Sequence, residues 1–115
     1  MNKLVYSHVV KRKMLVLKDR LSERFDTDTA KKVISGITKD ADNLKAHEEI
    51  GTNIAQMYGI DTEYWYLFTN QHYLVYRIEP GVVTVVQMFH EREDFMMKMF
   101  GISGRTQESI DYWGE

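Results

Sequence analysis

The chain has 115 residues, no cysteine and a formal net charge of -2, from 15 Lys and Arg against 17 Asp and Glu. This length suits one compact domain, and the absence of cysteine excludes disulfide frameworks, thiolate nucleophiles and cysteine-bound zinc. Nucleic-acid-binding proteins usually carry a basic excess, so any such role here must depend on a local patch. No apolar run approaches a membrane span and no secretory signal is recognisable, so we expect a cytoplasmic protein that does not contact membranes.

A strand followed by two helices is predicted for the first part of the chain. "KLVYSHVV" (residues 3–10) is rich in β-branched and aromatic residues, which favours a strand. The apolar residues of the first helix recur every three or four positions: Met14, Leu17, Leu21 and Phe25. "DTDT" offers an N-cap for a second helix that runs to about Leu44. We predict an antiparallel helical hairpin that packs on a sheet.

Positive charge clusters along the first helix. The sequence "KRK" at residues 11–13 is followed by Lys18, Arg20 and Arg24. A run of charges at helical spacing is usually a solvated helix face, and we interpret it in that way.

The second half of the chain predicts a three-stranded meander. Residues 45–62 are interpreted as a loop with one helical turn at "IAQMY", and strands follow at residues 63–68, 73–79 and 82–89. A short helix, "DFMMKMFG", is expected to begin after Asp94 as N-cap and to end at Gly101. The fold class is therefore α+β, in the order β-α-α-β-β-β with a short C-terminal helix and both hairpin helices on one face of a small antiparallel sheet. Residues 1–102 form the single domain, and residues 103–115 form a tail.

The turns predict which side chains share a face of the sheet. A two- or four-residue turn at Pro80-Gly81 pairs Arg77 with Thr84, and strand alternation extends that pairing. The helix-facing side then contains Trp65, Leu67, Leu74, Tyr76, Ile78, Val83, Val85 and Phe89. The opposite side contains Tyr64, Tyr66, Phe68, Tyr73, Val75, Arg77, Glu79, Thr84, Val86 and His90. An arginine and aromatic surface suits a protein interface or stacked nucleic-acid bases.

An alternative arrangement covers that second face. The short C-terminal helix or the tail folds over the aromatic residues, and Arg77 pairs only with Glu79 or Glu91.

The element order and four segments, "LVYSHVV", "LKDRLSERF", "YLVYRIE" and "MFHEREDFMMKMFGI", resemble the RelE/ParE superfamily of bacterial type II toxins, to about Ile102. The resemblance implies a small toxin neutralised by a cognate antitoxin. Toxin and antitoxin together would repress their own promoter, with operator DNA contacted only through the antitoxin. No cofactor is implied, and the spacing of the four histidines does not suggest a metal site.

Two mechanisms occur among these relatives. Relatives that resemble RelE and YoeB cut mRNA on the ribosome with basic residues and a His or Tyr, whereas ParE-like relatives bind and inhibit DNA gyrase. In a nuclease, Arg77 would stabilise the phosphate, His90 would transfer a proton and Arg92 would make a second phosphate contact.

Gyrase inhibition is the slightly favoured prediction. The basic positions of RelE relatives correspond here to Tyr73, Tyr64 and Tyr66, so the basic set is missing. A non-toxic interaction module with the same fold is the third alternative. The predicted target- or antitoxin-binding residues are Tyr64, Tyr66, Phe68, Tyr73, Arg77, Thr84, His90 and Arg92.

Overall fold

A five-stranded mixed sheet carries a helical hairpin on one face. The computed structural model describes residues 1–102, and the predicted tail at residues 103–115 lies outside the described residues. The elements in chain order are β1 (Lys3–Tyr6), α1 (His8–Arg24), α2 (Thr27–Asp42), a 3-10 turn (Asn43–Lys45), β2 (Thr52–Asn53), α3 (Ile54–Tyr58), β3 (Tyr64–Thr69), β4 (His72–Glu79), β5 (Val82–His90) and α4 (Phe95–Phe100). The α+β prediction is confirmed. Within residues 1–102, no helix has the length and apolarity needed to cross a membrane.

The strand order is β1-β5-β4-β3-β2, and the predicted β3-β4-β5 meander forms its centre. The prediction of an antiparallel sheet holds for the pairs among β2, β3, β4 and β5 but not for β1, which runs parallel to β5, so the sheet is mixed. The two-residue strand β2 was not predicted, since so short a segment shows no alternation.

Side-chain caps fix where the hairpin helices begin. The Ser7 hydroxyl accepts a hydrogen bond from the Val10 N–H at 3.2 Å, so α1 starts earlier than the strand pattern predicted. Asp26 caps α2 by accepting from the Thr29 N–H at 2.6 Å. The expected place of Phe25 in the apolar stripe of α1 is wrong: the helix ends at Arg24, and Phe25 is 61% exposed.

The turns between strands set the register as predicted. Asn70 and Gln71 both have positive φ, 48° and 66°, which is the backbone of a two-residue turn that matches the twist of a hairpin. Across the next turn, Arg77 pairs with Thr84 and Tyr76 with Val85. The predicted register near both turns is confirmed.

A β-bulge changes the second half of β5. Tyr76 is opposite Val85, but Val75 is opposite Gln87, so β5 contains one extra residue at Val86. One extra residue transfers every later side chain to the other face of the sheet. Phe89 therefore lies on the face opposite the helices, opposite Tyr73, and His90 lies on the helix face, opposite His72. Both predicted positions, Phe89 with the hairpin core and His90 beside Arg77, are wrong for this reason.

The main core lies between the hairpin and the sheet, and Tyr76 links it to the loop before β2. Tyr76 is fully buried. Its hydroxyl donates to the Glu48 carbonyl at 2.8 Å and accepts from the Gly51 N–H at 3.2 Å. Burial raises the pKa of Tyr76 to about 12. The residues buried with it are Val10, Ile37, Ala41, Leu44, Leu74, Val83, Val85 and Met88.

A second, smaller core covers much of the opposite face. Phe95 and Met96 of α4 and Ile54 of α3 pack against Val75 and Phe89. The predicted limits of α4 are confirmed: the Asp94 carboxylate accepts from the Met97 N–H at 3.1 Å, and Gly101 has φ 69°. The second face is thus largely covered by α4, as in the alternative arrangement.

Candidate functional site

Arg77 lies on the second face, where the register predicted it. Its side chain is 37% exposed, and Nε donates to Glu79 Oε1 at 2.7 Å. This hydrogen bond raises the pKa of Arg77 above its ordinary value. Tyr64 and Thr84 are its cross-strand neighbours. The guanidinium is accessible, but part of its donor capacity is used by a residue of its own strand.

The predicted aromatic surface is only partly open. The rings of Tyr66 and Tyr73 lie 5.3 and 4.7 Å from the ring of Phe95, and Tyr64 lies 6.3 Å from another α4 ring. Phe68 is the predicted aromatic residue that stays open, at 49% exposure. The helix α4 therefore occupies most of the surface that the strand pattern left free.

His90 lies on the other side of the sheet from Arg77. Its ring meets the His72 ring edge to face, with centroids 5.2 Å apart. His90 Nδ1 accepts from the Arg92 N–H at 3.1 Å, and the His90 N–H donates to Glu93 at 2.7 Å. The structure brings His90 and Arg92 together but separates both from Arg77.

A groove with a volume of about 910 Å³ lies between α1 and the end of β5. Its apolar floor includes Val16, 50% exposed, and Phe25, together with the more buried Leu17, Leu21 and Met88. Basic side chains form its rim: Arg12, Lys13, Arg20, Arg24 and Arg92. We call this surface the α1 groove.

The charge of the α1 groove is mostly uncompensated. None of its five basic side chains forms an ion pair with any residue in the described range. Of its two acidic residues, Glu93 already binds the Lys98 ammonium and the His90 N–H. Burial alone would raise the pKa of Glu93, but these two hydrogen bonds, together with the positive charges of Lys98 and Lys13, outweigh it and lower that pKa. The groove therefore presents an excess of positive charge.

Lys13 fixes the wall of the groove. The strand β1 pairs only with residues Val82 to Val85 of β5, which leaves the rest of that edge without a neighbouring strand. Lys13 Nζ donates there to the Met88 carbonyl at 2.8 Å and to Gln87 Oε1 at 2.7 Å. Burial lowers the pKa of Lys13. The lysine closes an open strand edge and holds α1 against β5.

A groove with an apolar floor and a cationic rim suits an amphipathic acidic segment of a protein. Apolar side chains would fill the floor, while carboxylates would meet arginines that can bind them with two hydrogen bonds each. The sequence did contain a signal for this site: Arg20 and Arg24 follow the exposed Val16 at intervals of about one helical turn. The interpretation of this charge run as a solvated face is incomplete, because the opposing wall of the groove belongs to a distant part of the chain.

Comparison with known proteins identifies the family. The family described as "ParE toxin of type II toxin-antitoxin system, parDE" matches residues 4–95. A solved structure titled "Chromosomal ParDE TA system from P. aeruginosa" shares the fold, with a TM-score of 0.66 and 10% identity, over 78% of this chain and 96% of that one. Among curated proteins, none matches this sequence. Because the family match spans most of the sequence, the chain belongs to the ParE toxins of type II toxin–antitoxin systems, with a cognate antitoxin as its partner.

Proposed function

We propose that this toxin inhibits growth by binding DNA gyrase rather than by cutting mRNA, and that its antitoxin neutralises it by occupying the α1 groove. The observation that carries the choice of mechanism is the separation of Arg77 from His90 by the sheet. The gyrase target itself comes from the family resemblance.

A nuclease site needs its phosphate-stabilising and proton-transferring groups around one reacting phosphate, each within hydrogen-bond distance of it. Arg77 and His90 point to opposite faces, so a single phosphate cannot contact both. Arg77 is also bound to Glu79, and the positions of the missing basic set are held by tyrosines that pack under α4. The mRNA-cutting alternative thus lacks the assembled residues it requires.

Binding requires only a complementary surface, and the α1 groove supplies one. Uncompensated arginines around apolar side chains are typical of residues that dominate protein interfaces. A segment of the antitoxin that fills this groove would cover these arginines and apolar side chains, so the toxin could no longer bind another protein through them.

Two assays on the purified toxin distinguish the mechanisms. We expect wild-type protein to inhibit DNA supercoiling by gyrase and to leave ribosome-bound mRNA intact. The His90→Ala variant should still inhibit gyrase, because inhibition by binding needs no proton-transferring group, although His90 lines the groove and its loss can weaken binding. Ribosome-dependent cleavage that disappears in His90→Ala would refute the proposal.

Expression in cells provides a second readout. The toxin alone should slow growth, and co-expression of its antitoxin should restore it. Normal growth on expression of folded wild-type protein would instead favour the non-toxic interaction module.

A further inference from the structure

The net negative charge of this protein comes from one segment. Residues 1–102 contain 14 Lys and Arg and 14 Asp and Glu, so their formal net charge is zero. Residues 103–115 carry one arginine against Glu108, Asp111 and Glu115, which accounts for the whole net charge of -2. The domain is neutral overall and has a basic groove, whereas the segment that follows it is acidic.

The same segment contains large apolar side chains between its carboxylates. In "ESIDYW" (residues 108–113), Ile110, Tyr112 and Trp113 alternate with or follow the acidic residues. The aromatic and aliphatic side chains of this segment suit the apolar floor of the α1 groove, and its carboxylates suit the cationic rim.

The segment is long enough to reach the groove. Lys98, in the last turn of α4, binds Glu93, which lines the α1 groove, so α4 ends close to one end of that groove. From Ile102 onward, thirteen residues can extend up to about 40 Å at 3.3 Å per residue.

We propose that residues 103–115 dock into the α1 groove of their own chain and compete there with the antitoxin. Docking places Glu108 and Asp111 against the basic rim and Trp113 on the floor. The competition depends on the proposed function, because it assumes that the antitoxin uses the same groove; the docking itself does not. A partner can bind only those molecules in which the groove is free. The apparent association constant of the partner is therefore the intrinsic constant multiplied by the fraction of molecules with a free groove.

A spin label tests the docking directly, because the chain has no native cysteine to compete for labelling. We would introduce Ser109→Cys, attach a nitroxide and record methyl NMR spectra of the full chain before and after reduction of the label. Docking predicts that the label broadens signals from Val16, Leu17 and Leu21 in the groove, but not those from Ile54 and Val75 on the other face. Salt at about 0.5 M should weaken the broadening, since it screens exposed charges.

Charge exchange provides the matched control. Glu108→Lys with Asp111→Lys should abolish the groove broadening, and adding Arg20→Glu with Arg24→Glu should restore at least half of it. The same lysine pair combined with Lys31→Glu and Lys32→Glu, on the exposed face of α2, should restore none.

Broadening at Ile54 and Val75, or no selective broadening at all, would overturn the proposal. The NMR samples contain neither gyrase nor antitoxin, so a failed gyrase assay does not change the interpretation of the spectra. A second outcome is docking without competition. The label would then broaden the groove signals, but Glu108→Lys with Asp111→Lys would leave the affinity for the antitoxin unchanged. This result would overturn the proposed competition with the antitoxin.

Discussion

Replacing Tyr76 with Phe removes the hydroxyl group that joins the sheet to the loop before β2. The ring remains and keeps its place in the core, so the substitution tests the two hydrogen bonds and little else. The hydroxyl donates to Glu48 at 2.8 Å and accepts from Gly51 at 3.2 Å. In Tyr76→Phe the Gly51 N–H and the Glu48 carbonyl both lose this partner.

The expected loss of stability follows from burial. A buried polar group left without its partner costs about 1–3 kcal/mol. For a domain of this size, each kcal/mol lowers the melting temperature by roughly 4–8 °C. We expect Tyr76→Phe to reduce the free energy of unfolding by about 1–3 kcal/mol.

Urea unfolding followed by circular dichroism measures this difference. The control is Tyr58→Phe, a half-buried tyrosine whose hydroxyl forms no hydrogen bond with another described residue. If Tyr76→Phe and Tyr58→Phe unfold at the same urea concentration, the proposed anchoring of the loop by Tyr76 is incorrect.

Three further predictions concern single residues. Gly51→Ala should cost about 1–3 kcal/mol, because its Cβ would lie 2.6 Å from the Tyr76 hydroxyl and in hard contact with the Tyr66 carbonyl. Lys13→Met should cost about 1–2 kcal/mol by leaving the Met88 carbonyl without its donor, measured by urea unfolding. Burial lowers the pKa of His72 below 6.5, so stability should fall as the pH drops below that value, where the unfolded chain binds a proton that the folded chain does not. His72→Gln should flatten this dependence in unfolding curves recorded from pH 7 to pH 5.

Each of these predictions has a matched control. Gly36→Ala brings its Cβ to 2.8 Å from the side-chain amide of Asn70 rather than from backbone, and alanine improves a helical position, so it should cost clearly less than Gly51→Ala. Lys11→Met removes the same charge from an exposed position of α1 and should change stability by less than about 0.5 kcal/mol. His47→Gln, also exposed, should keep the wild-type pH dependence. If a variant and its control show the same change in stability, or the same pH dependence of stability, the contact proposed for that residue is incorrect.

The sequence was sufficient for the fold because local signals agreed with each other. Periodicity placed both hairpin helices, and the turn at Pro80-Gly81 fixed the pairing of Arg77 with Thr84. Asp94 and Gly101 marked both ends of α4. These features depend on neighbouring residues, which a single sequence shows directly.

The site was less predictable because it depends on one extra residue and on distant contacts. No local signal marks the bulge at Val86, since β-branched residues are common in regular strands as well. That bulge alone transferred His90 from the face of Arg77 to the face of α1. Likewise, the apolar pattern of α4 predicted a helix that packs somewhere, but not that Phe95 would cover Tyr66 and Tyr73.

The central claim is that the α1 groove is the surface through which this toxin is neutralised, and its most direct test is the affinity for the cognate antitoxin measured by calorimetry. Arg20→Glu with Arg24→Glu should weaken binding at least tenfold, about 1.4 kcal/mol, because carboxylates would then face the acidic segment expected in the groove. Lys31→Glu with Lys32→Glu makes the same change in net charge on the exposed face of α2 and should stay within about twofold of wild type. Wild-type affinity in the groove variant, or equal loss in both variants, would contradict the account.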